Sequence, residues 1–320
     1  MKKTVIILVI VTIFSWVAGA AFTSLAAGRN SAKAAGRESS NREQRNAQTR
    51  ADFEDRRLFG AETVESIDIN CVSEDLTFYP SSGEIQVAFK IETVGPRKDN
   101  HPQLEISETG GKLEISIRQP EKYGNFIRNI GSYKGVLEIG LPEKKFRSIS
   151  LHSVSGDVDF QLPVSVEQLS AETVSGNLDG LTFKGTEIRL STTSGDLSLE
   201  DIETDKLAVK TVSGEINGKN LKCKSSDFET VSGDLRFDEM ESERTQFHSV
   251  SGDFSCQSLI GKRHVFQTMS GDAEIDDLTG EEEFHSMSGD LSIKRRGSGS
   301  NPGQSEENES EIEKPTVETR

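Results

Sequence analysis

The stretch Thr230-Val231-Ser232-Gly233-Asp234-Leu235 contains a short phrase, Ser-Gly-Asp, that returns along the chain at a nearly fixed interval. The copies of this phrase, which we interpret below as the corners of a repeat, have their glycines at Gly156, Gly176, Gly195, Gly214, Gly233, Gly252, Gly271 and Gly289. Their numbers increase by 20, 19, 19, 19, 19, 19 and 18 from copy to copy, and Asn177 or Glu215 replaces Asp in two copies. A fixed period of roughly 20 residues over eight copies is typical of a stacked repeat architecture.

The residues around each copy alternate between apolar and polar, as they do in a β-strand. Four residues before the Ser every copy has an apolar residue, and two residues before it every copy has Ser or Thr. Another apolar residue follows two positions after the Gly. We therefore predict an all-β, single-stranded β-solenoid with coils of about 19 residues. Each coil would contain a strand, a Ser-Gly corner, a second strand and a return loop.

Each repeated position predicts a structural role. We expect the Gly to supply a backbone angle that other residues resist, and the Asp to bond nearby backbone amides and secure the bend. The Ser/Thr row should bond to the neighbouring coil. The acidic row should lie on the outer surface, where aligned like charges oppose stacking. In the core we expect one aromatic column, which consists of Phe228, Phe247, Phe266 and Phe284.

The N-terminus differs from the repeats. A basic start, Met1-Lys2-Lys3, precedes an uncharged apolar run that ends near Ala27. Residues 1–27 are therefore predicted to form a hydrophobic helix that is either a signal peptide or a transmembrane anchor. Basic residues after the segment outnumber Lys2 and Lys3, which for an uncleaved helix favours a cytoplasmic C-terminus. The apolar start after two lysines instead favours export, and both orientations stay open.

Composition divides the rest of the chain. Residues 28–60 have almost no large apolar side chains and are predicted to be a polar linker, in part helical around residues 47–57. Residues 61–145 alternate with a period of two and are predicted to be an N-terminal β region leading into the solenoid. Residues 146–296 hold the eight coils. Residues 297–320 are predicted to be a disordered acidic tail.

Several functions are disfavoured by these features. A net charge of −16 over 320 residues disfavours nucleic acid as a partner. The three cysteines have no Cys-x-x-Cys spacing and predict neither a disulfide framework nor a zinc site. One carboxylate per coil is too few for calcium, which needs six to eight oxygens. We therefore predict no cofactor and no metal site.

Two features suggest enzymes but do not support them. His-Ser-Val-Ser-Gly-Asp begins at His152 and His248, and a similar phrase begins at His285. It contains the residue types of a hydrolase triad, but His and the next Ser point to opposite faces of a strand, and an active site is usually single. The repeat also lacks the six-residue period of β-helical acyltransferases. We predict no catalytic residues.

The repeats resemble a bacterial "putative adhesin" family of unknown function, a β-solenoid known by the phrase Thr-Val-Ser-Gly-Asp-Leu. Residues 230–235 have the whole phrase, and Thr173 and Thr211 begin close copies. The lead-in at residues 135–142 is also similar, and the resemblance covers roughly residues 64–293. It implies a solenoid in a bacterial cell envelope and no catalytic residues.

The resulting hypothesis is a non-catalytic, adhesin-like solenoid of the cell envelope that binds or scaffolds through its surface. Its partner would be an unidentified envelope protein or glycan, and its N-terminal segment would contact the membrane. The alternative is a regulatory envelope-stress module that binds a membrane or protein partner, since relatives in the family occur in such systems. A third hypothesis, a polysaccharide-acting β-helix enzyme, needs a coil in which clustered charges break the pattern.

Overall fold

A computed structural model of the chain describes residues 50–94, 102–119 and 132–297. These residues form eighteen β-strands. They contain no helix, and therefore none long and apolar enough to cross a membrane. The predicted signal peptide or anchor at residues 1–27 and the tail after residue 297 lie outside the described residues.

The strands fall into an N-terminal set and a repeat set. The first seven are β1 (Arg50–Gly60), β2 (Ser66–Asn70), β3 (Asp75–Pro80), β4 (Glu84–Val94), β5 (Gln103–Thr109), β6 (Lys112–Arg118) and β7 (Ser132–Leu141). The other eleven are β8 (Lys145–His152), β9 (Val158–Phe160), β10 (Val164–Glu172), β11 (Leu178–Ser191), β12 (Leu197–Lys210), β13 (Ile216–Gly218), β14 (Leu221–Glu229), β15 (Leu235–His248), β16 (Phe254–Gln267), β17 (Ala273–His285) and β18 (Leu291–Arg296).

The repeat strands are stacked in parallel. In the pairing of β15 with β16, Leu235 lies opposite Phe254 and Phe247 lies opposite Phe266. The numbers of the paired residues differ by 19, so one turn of the solenoid takes about 19 residues. The structure thus confirms the predicted all-β solenoid and its coil length.

Each long strand bends twice as it follows the coil. In β15 the buried and exposed residues alternate, except that residues 238–239 and 243–244 are consecutive exposed pairs. Neighbouring residues of a strand point to opposite faces, so two successive outward residues mark a bend. Together with the Ser-Gly corner, these bends give the coil three short sides around one buried core.

The N-terminal β region contains a coil of its own. Strand β2 pairs in parallel with β8, and β3 pairs in parallel with β9, so β2 and β3 form a first coil below the eight predicted coils. Beyond it, β5 pairs antiparallel with β6, while β1, β4 and β7 form an antiparallel group. These strands cover an edge of the first coil that would otherwise expose unpaired backbone groups.

Strand β1 corrects the predicted linker. Residues 28–60 were predicted to be a spacer, partly helical near residues 47–57, but Arg50–Gly60 is a strand that pairs with β4 along its whole length. The pairing uses backbone groups and needs few apolar side chains. An argument from composition therefore misses a strand that is stabilised by backbone hydrogen bonds to the neighbouring strand. Residues 28–49 lie outside the described residues.

Candidate functional site

A regular surface of the described residues is formed by the corner at which each coil turns. We call it the corner ridge and define it as nine five-residue corners that share the order small residue, apolar residue, Ser, Gly, acidic residue. The three exceptions are Glu74 at a Gly position, Thr193 at an apolar position and Asn177 at an acidic position. The corners are residues 71–75, 153–157, 173–177, 192–196, 211–215, 230–234, 249–253, 268–272 and 286–290. The first corner was not predicted, because it has Cys71 and Glu74 in place of the hydroxyl and the Gly.

The corner glycines are needed for close approach between coils. A Cβ at Gly214 would overlap the carbonyl oxygen of Gly195, and the same relation holds at Gly233 toward Gly214. Positive φ angles among the described glycines occur at Gly83, Gly110, Gly111, Gly180 and Gly280, none of which is a corner repeat. The expected role of an unusual backbone angle is therefore wrong. The absent side chain is what allows the corners to stack.

The small hydroxyl of each of the eight Ser-Gly corners bonds inside its own coil. Thr211 is fully buried, and its Oγ1 accepts a hydrogen bond from the N–H of Gly214 at 2.9 Å. Ser249 accepts from the N–H of Gly252 at 2.7 Å in the same way. The hydroxyl row was expected to bond the neighbouring coil. That expectation is wrong, because the turn of a single corner brings acceptor and donor together.

Thr211→Val tests this bond. The change keeps the shape of the side chain but leaves the buried N–H of Gly214 without its acceptor, so we expect the free energy of unfolding to fall by about 1–3 kcal/mol. Thr211→Ser keeps the hydroxyl and should cost less. Urea unfolding followed by circular dichroism measures both. Equal losses in the two variants would mean that the bond is unimportant.

The Ser of each corner connects successive coils. The N–H of Ser232 donates to the carbonyl oxygen of Val212 at 2.9 Å, and its hydroxyl donates to the same oxygen at 3.3 Å. The pattern continues at Ser251, which donates twice to Val231. Two bonds to one carbonyl fix the spacing and direction of each corner relative to the previous one.

The acidic residues form a second connection between coils. The backbone N–H of Asp272 donates to Asp253 Oδ1 at 2.9 Å, and the N–H of Asp290 donates to Asp272 Oδ1 at 2.9 Å. Asn177 makes the equivalent bond, since its Oδ1 accepts from the N–H of Asp196 at 2.9 Å. The Asp was expected to secure the bend of its own coil. Instead the carboxylate reaches the next coil, and this bond offsets the repulsion along the row.

The first corner uses a buried carboxylate in place of a Gly. Glu74 is fully buried, and its Oε2 accepts from the N–H groups of Val72 and Ser73 at 2.9 and 3.0 Å. Its Oε1 accepts from Gln119 Nε2 at 3.0 Å. The carbonyl of Glu74 is the group that Gly156 packs against. The first coil thus presents the same surface to the second coil as every later coil does to the next.

The corner ridge also exposes a row of apolar side chains that sequence reasoning missed. Val72, Val154 and Met287 are 43%, 47% and 78% exposed. Between these ends the row is half-buried and consists of Val174, Thr193, Val212, Val231, Val250 and Met269. The signal was available in the sequence, because an apolar residue precedes the Ser of seven of the eight repeats, at a position that the inward alternation does not require.

The predicted aromatic residues lie in register in the core. Strand pairing places Phe228 opposite Phe247, Phe247 opposite Phe266, and Phe266 opposite Phe284, which is only partly buried. Their rings also contact phenylalanines that the sequence analysis did not single out. The ring of Phe254 lies 5.4 Å from that of Phe247 and 5.0 Å from that of Phe266.

The three His-Ser phrases do not assemble triads. Ser249 is buried, and its oxygen accepts from the Gly252 N–H, whereas His248 is half-buried on the outward side of β15. His152 and His285 instead approach the carboxylates of Glu172 at 3.3 Å and Glu283 at 2.7 Å. Among the described residues, no group of three or more His, Cys, Asp or Glu side chains could hold a metal ion.

One histidine outside those phrases is fully buried. His264 Nε2 lies 3.2 Å from the carbonyl oxygen of Thr279, and its Nδ1 has no hydrogen-bond partner among the described residues. It faces buried Glu282 across the strand pair, and Glu282 forms an ion pair with Arg296 at 2.5 Å. Burial lowers the pKa of His264, and the Thr279 carbonyl and the Glu282 charge offset only part of that effect.

This burial predicts a loss of stability in mild acid. The lowered pKa means that the unfolded chain, with a His pKa near 6.5, binds a proton more readily than the folded chain. The stability that neutral His264 contributes is fully present above the unfolded pKa and is lost as the pH falls toward the lower pKa of the folded state. We expect the free energy of unfolding to decrease between pH 7.5 and 5.5, by at most about 1.4 kcal/mol per pH unit. In urea titrations His264→Gln should flatten this slope. An unchanged slope in His264→Gln would contradict the assignment.

The buried thiols show no sign of reactivity. Burial raises the pKa of Cys71 to about 11 and that of Cys256 to about 12, so both thiols stay protonated near neutral pH. Cys223 is half-buried, and burial raises the pKa of its thiol as well. All three cysteines are free. Since the thiolate is the reactive form, these side chains act as small core residues.

The Toastrack DUF4097 family matches residues 64–243 and again residues 204–302. Among curated proteins, none matches the chain. A crystal structure named a "putative lipid binding protein" from Parabacteroides distasonis is 16% identical, with a TM-score of 0.46 over 76% of this chain and 96% of that one. One named a "putative adhesin" from Bacteroides fragilis is 14% identical, with a TM-score of 0.43 over 76% of this chain and 95% of that one.

Proposed function

The chain belongs to the Toastrack DUF4097 family, and from that premise we propose that it is a non-catalytic binding or scaffolding solenoid of the bacterial cell envelope. The corner ridge is the observation on which the proposal rests. Nine corners follow one side-chain order with three single-residue exceptions, and backbone bonds fix each corner to the next. A surface of this kind offers the same contacts again and again along one line.

The chemistry of the ridge supports binding over catalysis. Its hydroxyls are engaged in structural bonds, as Thr211 is with Gly214 and Ser232 is with Val212. Its carboxylates accept backbone N–H groups, as Asp253 does from Asp272. A nucleophile must instead lie within reach of a base that is free to take its proton. The hydroxyls and carboxylates that repeat along the ridge therefore have a structural role. Their outward faces remain available for contacts with a partner.

Binding to isolated cell envelopes tests the proposal. The full-length protein in mild non-ionic detergent is incubated with envelope fragments, and the bound fraction is measured by sedimentation. We expect saturable binding that weakens when Val154, Val174 and Val212 are all changed to Ser. Ile260→Ser is a matched control, because Ile260 is as exposed as Val154 (47% each) but lies away from the ridge. Absence of saturable binding by the unchanged protein would refute the proposal.

The envelope location has its own test. We expect a reporter that works only outside the cytoplasm, fused after Arg320, to be active when the chain is expressed in bacteria. Activity of a cytoplasm-specific reporter at the same position would instead place the solenoid inside the cell. The result would also decide between the two orientations that the N-terminal charges leave open.

A further inference from the structure

Resting on the proposed binding function, we propose that the corner ridge binds a basic, amphipathic polypeptide segment. Its partner would place apolar side chains on the Val/Met row and Lys or Arg side chains on the carboxylate row. Both rows lie on one corner, three residues apart in each coil. Stacked coils repeat at about 4.8 Å, so nine corners give a surface of roughly 38 Å.

The apolar row is the first observation. A single exposed valine is ordinary, but apolar side chains aligned in eight of nine successive corners form a strip, interrupted by Thr193, of the kind found at interaction surfaces. The inward positions of each corner are already filled, for example by Leu235 and Phe247 of β15. The Val/Met side chains are therefore not required for the core. Their exposure is greatest near the two ends, at Val72 and Val154 on one side and Met287 on the other.

The charge pattern is the second observation. Away from the ridge, two outward columns alternate in sign from coil to coil, and their charges pair, as Lys184 does with Glu203 at 2.8 Å and Lys262 with Glu243 at 2.8 Å. On the ridge, like charges are aligned instead. Within the described residues, five exposed carboxylates of the row have no Lys or Arg partner: Asp157, Asp196, Asp253, Asp272 and Asp290. Their bonds to backbone N–H groups stabilise the stack but leave the negative charge in place.

The aligned charge selects among possible occupants. A second copy would bring two acidic rows together, and an anionic lipid surface or a nucleic acid would meet the same repulsion, which a net charge of −16 reinforces. A basic segment gains from both rows at once. Glu215 and Asp234 show that this chemistry works at the ridge, because Arg236 forms ion pairs with both carboxylates.

Charge-only variants make the proposal testable. Asn177 shows that an amide oxygen keeps the bond to the next coil, so changing Asp253, Asp272 and Asp290 to Asn should remove charge without breaking the stack. Glu203, Glu241 and Glu243 changed to Gln give the same loss of charge away from the ridge. The probe is a short, fluorescently labelled peptide of lysine, leucine and alanine, and its counterpart has glutamate for lysine. Binding to the full-length protein in non-ionic detergent is followed by fluorescence anisotropy.

We expect the lysine peptide to bind the unchanged protein and the glutamate peptide not to bind. The three-Asn variant should bind the lysine peptide between about threefold and 150-fold more weakly, since each of three exposed ion pairs contributes about 0.2–1 kcal/mol. The three-Gln variant should change affinity less than about threefold. Equal binding by both variants, or no binding of the lysine peptide at all, would overturn the proposal. Full envelope binding by the three-Asn variant would also overturn it while leaving the proposed binding function standing.

Discussion

Gly214→Ala is expected to lower the free energy of unfolding by at least about 3 kcal/mol. The new methyl group would overlap the carbonyl oxygen of Gly195, which belongs to the backbone of the preceding coil. A side chain could rotate away, but this carbonyl is backbone, and bonds to the coils on both sides hold the corner that contains it. The coils would have to separate at the ridge, and the bonds of Ser213 and Glu215 to the preceding corner would weaken with them.

Urea unfolding followed by circular dichroism measures this effect, and Gly60→Ala is the control. A Cβ at Gly60 would lie 3.6 Å from Thr63 Oγ1, which is ordinary van der Waals contact, and its φ is not in the left-handed region. We expect the control to change stability by less than about 1 kcal/mol. If Gly214→Ala unfolded at the same urea concentration as the unchanged protein, the close-packing role of the corner glycines would be wrong.

The second large effect is expected at Phe254. Its ring is buried and contacts three others, those of Phe237 at 5.7 Å, Phe247 at 5.4 Å and Phe266 at 5.0 Å. Phe254→Ala removes this ring from the centre of the core and leaves a cavity among side chains that rigid strands hold in place. We expect a loss of about 3–5 kcal/mol in the free energy of unfolding.

Phe53→Ala is the matched control, because Phe53 lies on β1 and is 39% exposed. We expect it to cost less than about 1 kcal/mol. Thermal unfolding and urea unfolding of both variants provide independent measurements. Similar losses in the two variants would show that the aromatic cluster does not hold the coils together.

The repeat explains why so much of the fold is predictable. A position that recurs once per coil has a similar environment in every coil. The eight residues found at that position therefore indicate together whether it is buried or exposed. The apolar residues four before the Ser and two after the Gly identified the inward positions, among them Phe228 and Phe247, and both are buried. The period also fixed the register, since parallel coils align equivalent residues.

The roles of the corner residues were harder to predict, because each depends on which atoms are neighbours. From sequence, a repeated Gly suggests an unusual backbone angle, whereas Gly214 is required by the approach of the Gly195 carbonyl. A repeated Thr suggests a bond between coils, whereas Thr211 bonds within its own. A repeated Asp suggests a local cap, whereas Asp253 reaches the next coil. In each case the residue type limits the possible bonds, and the geometry of the turn selects one.

The sequence by itself determined the strand period, the coil length and the inward positions, because these follow from side-chain alternation and repetition along one chain. Only the tertiary structure decided where the array begins, since the first corner at residues 71–75 lacks the Gly and is recognised by its bonds to the next coil. It also decided that Arg50–Gly60 is a strand, because β4 supplies the backbone partners. And it decided how far the Val/Met row is exposed, since neighbouring coils half-bury the middle of the row and leave Val154 and Met287 more exposed.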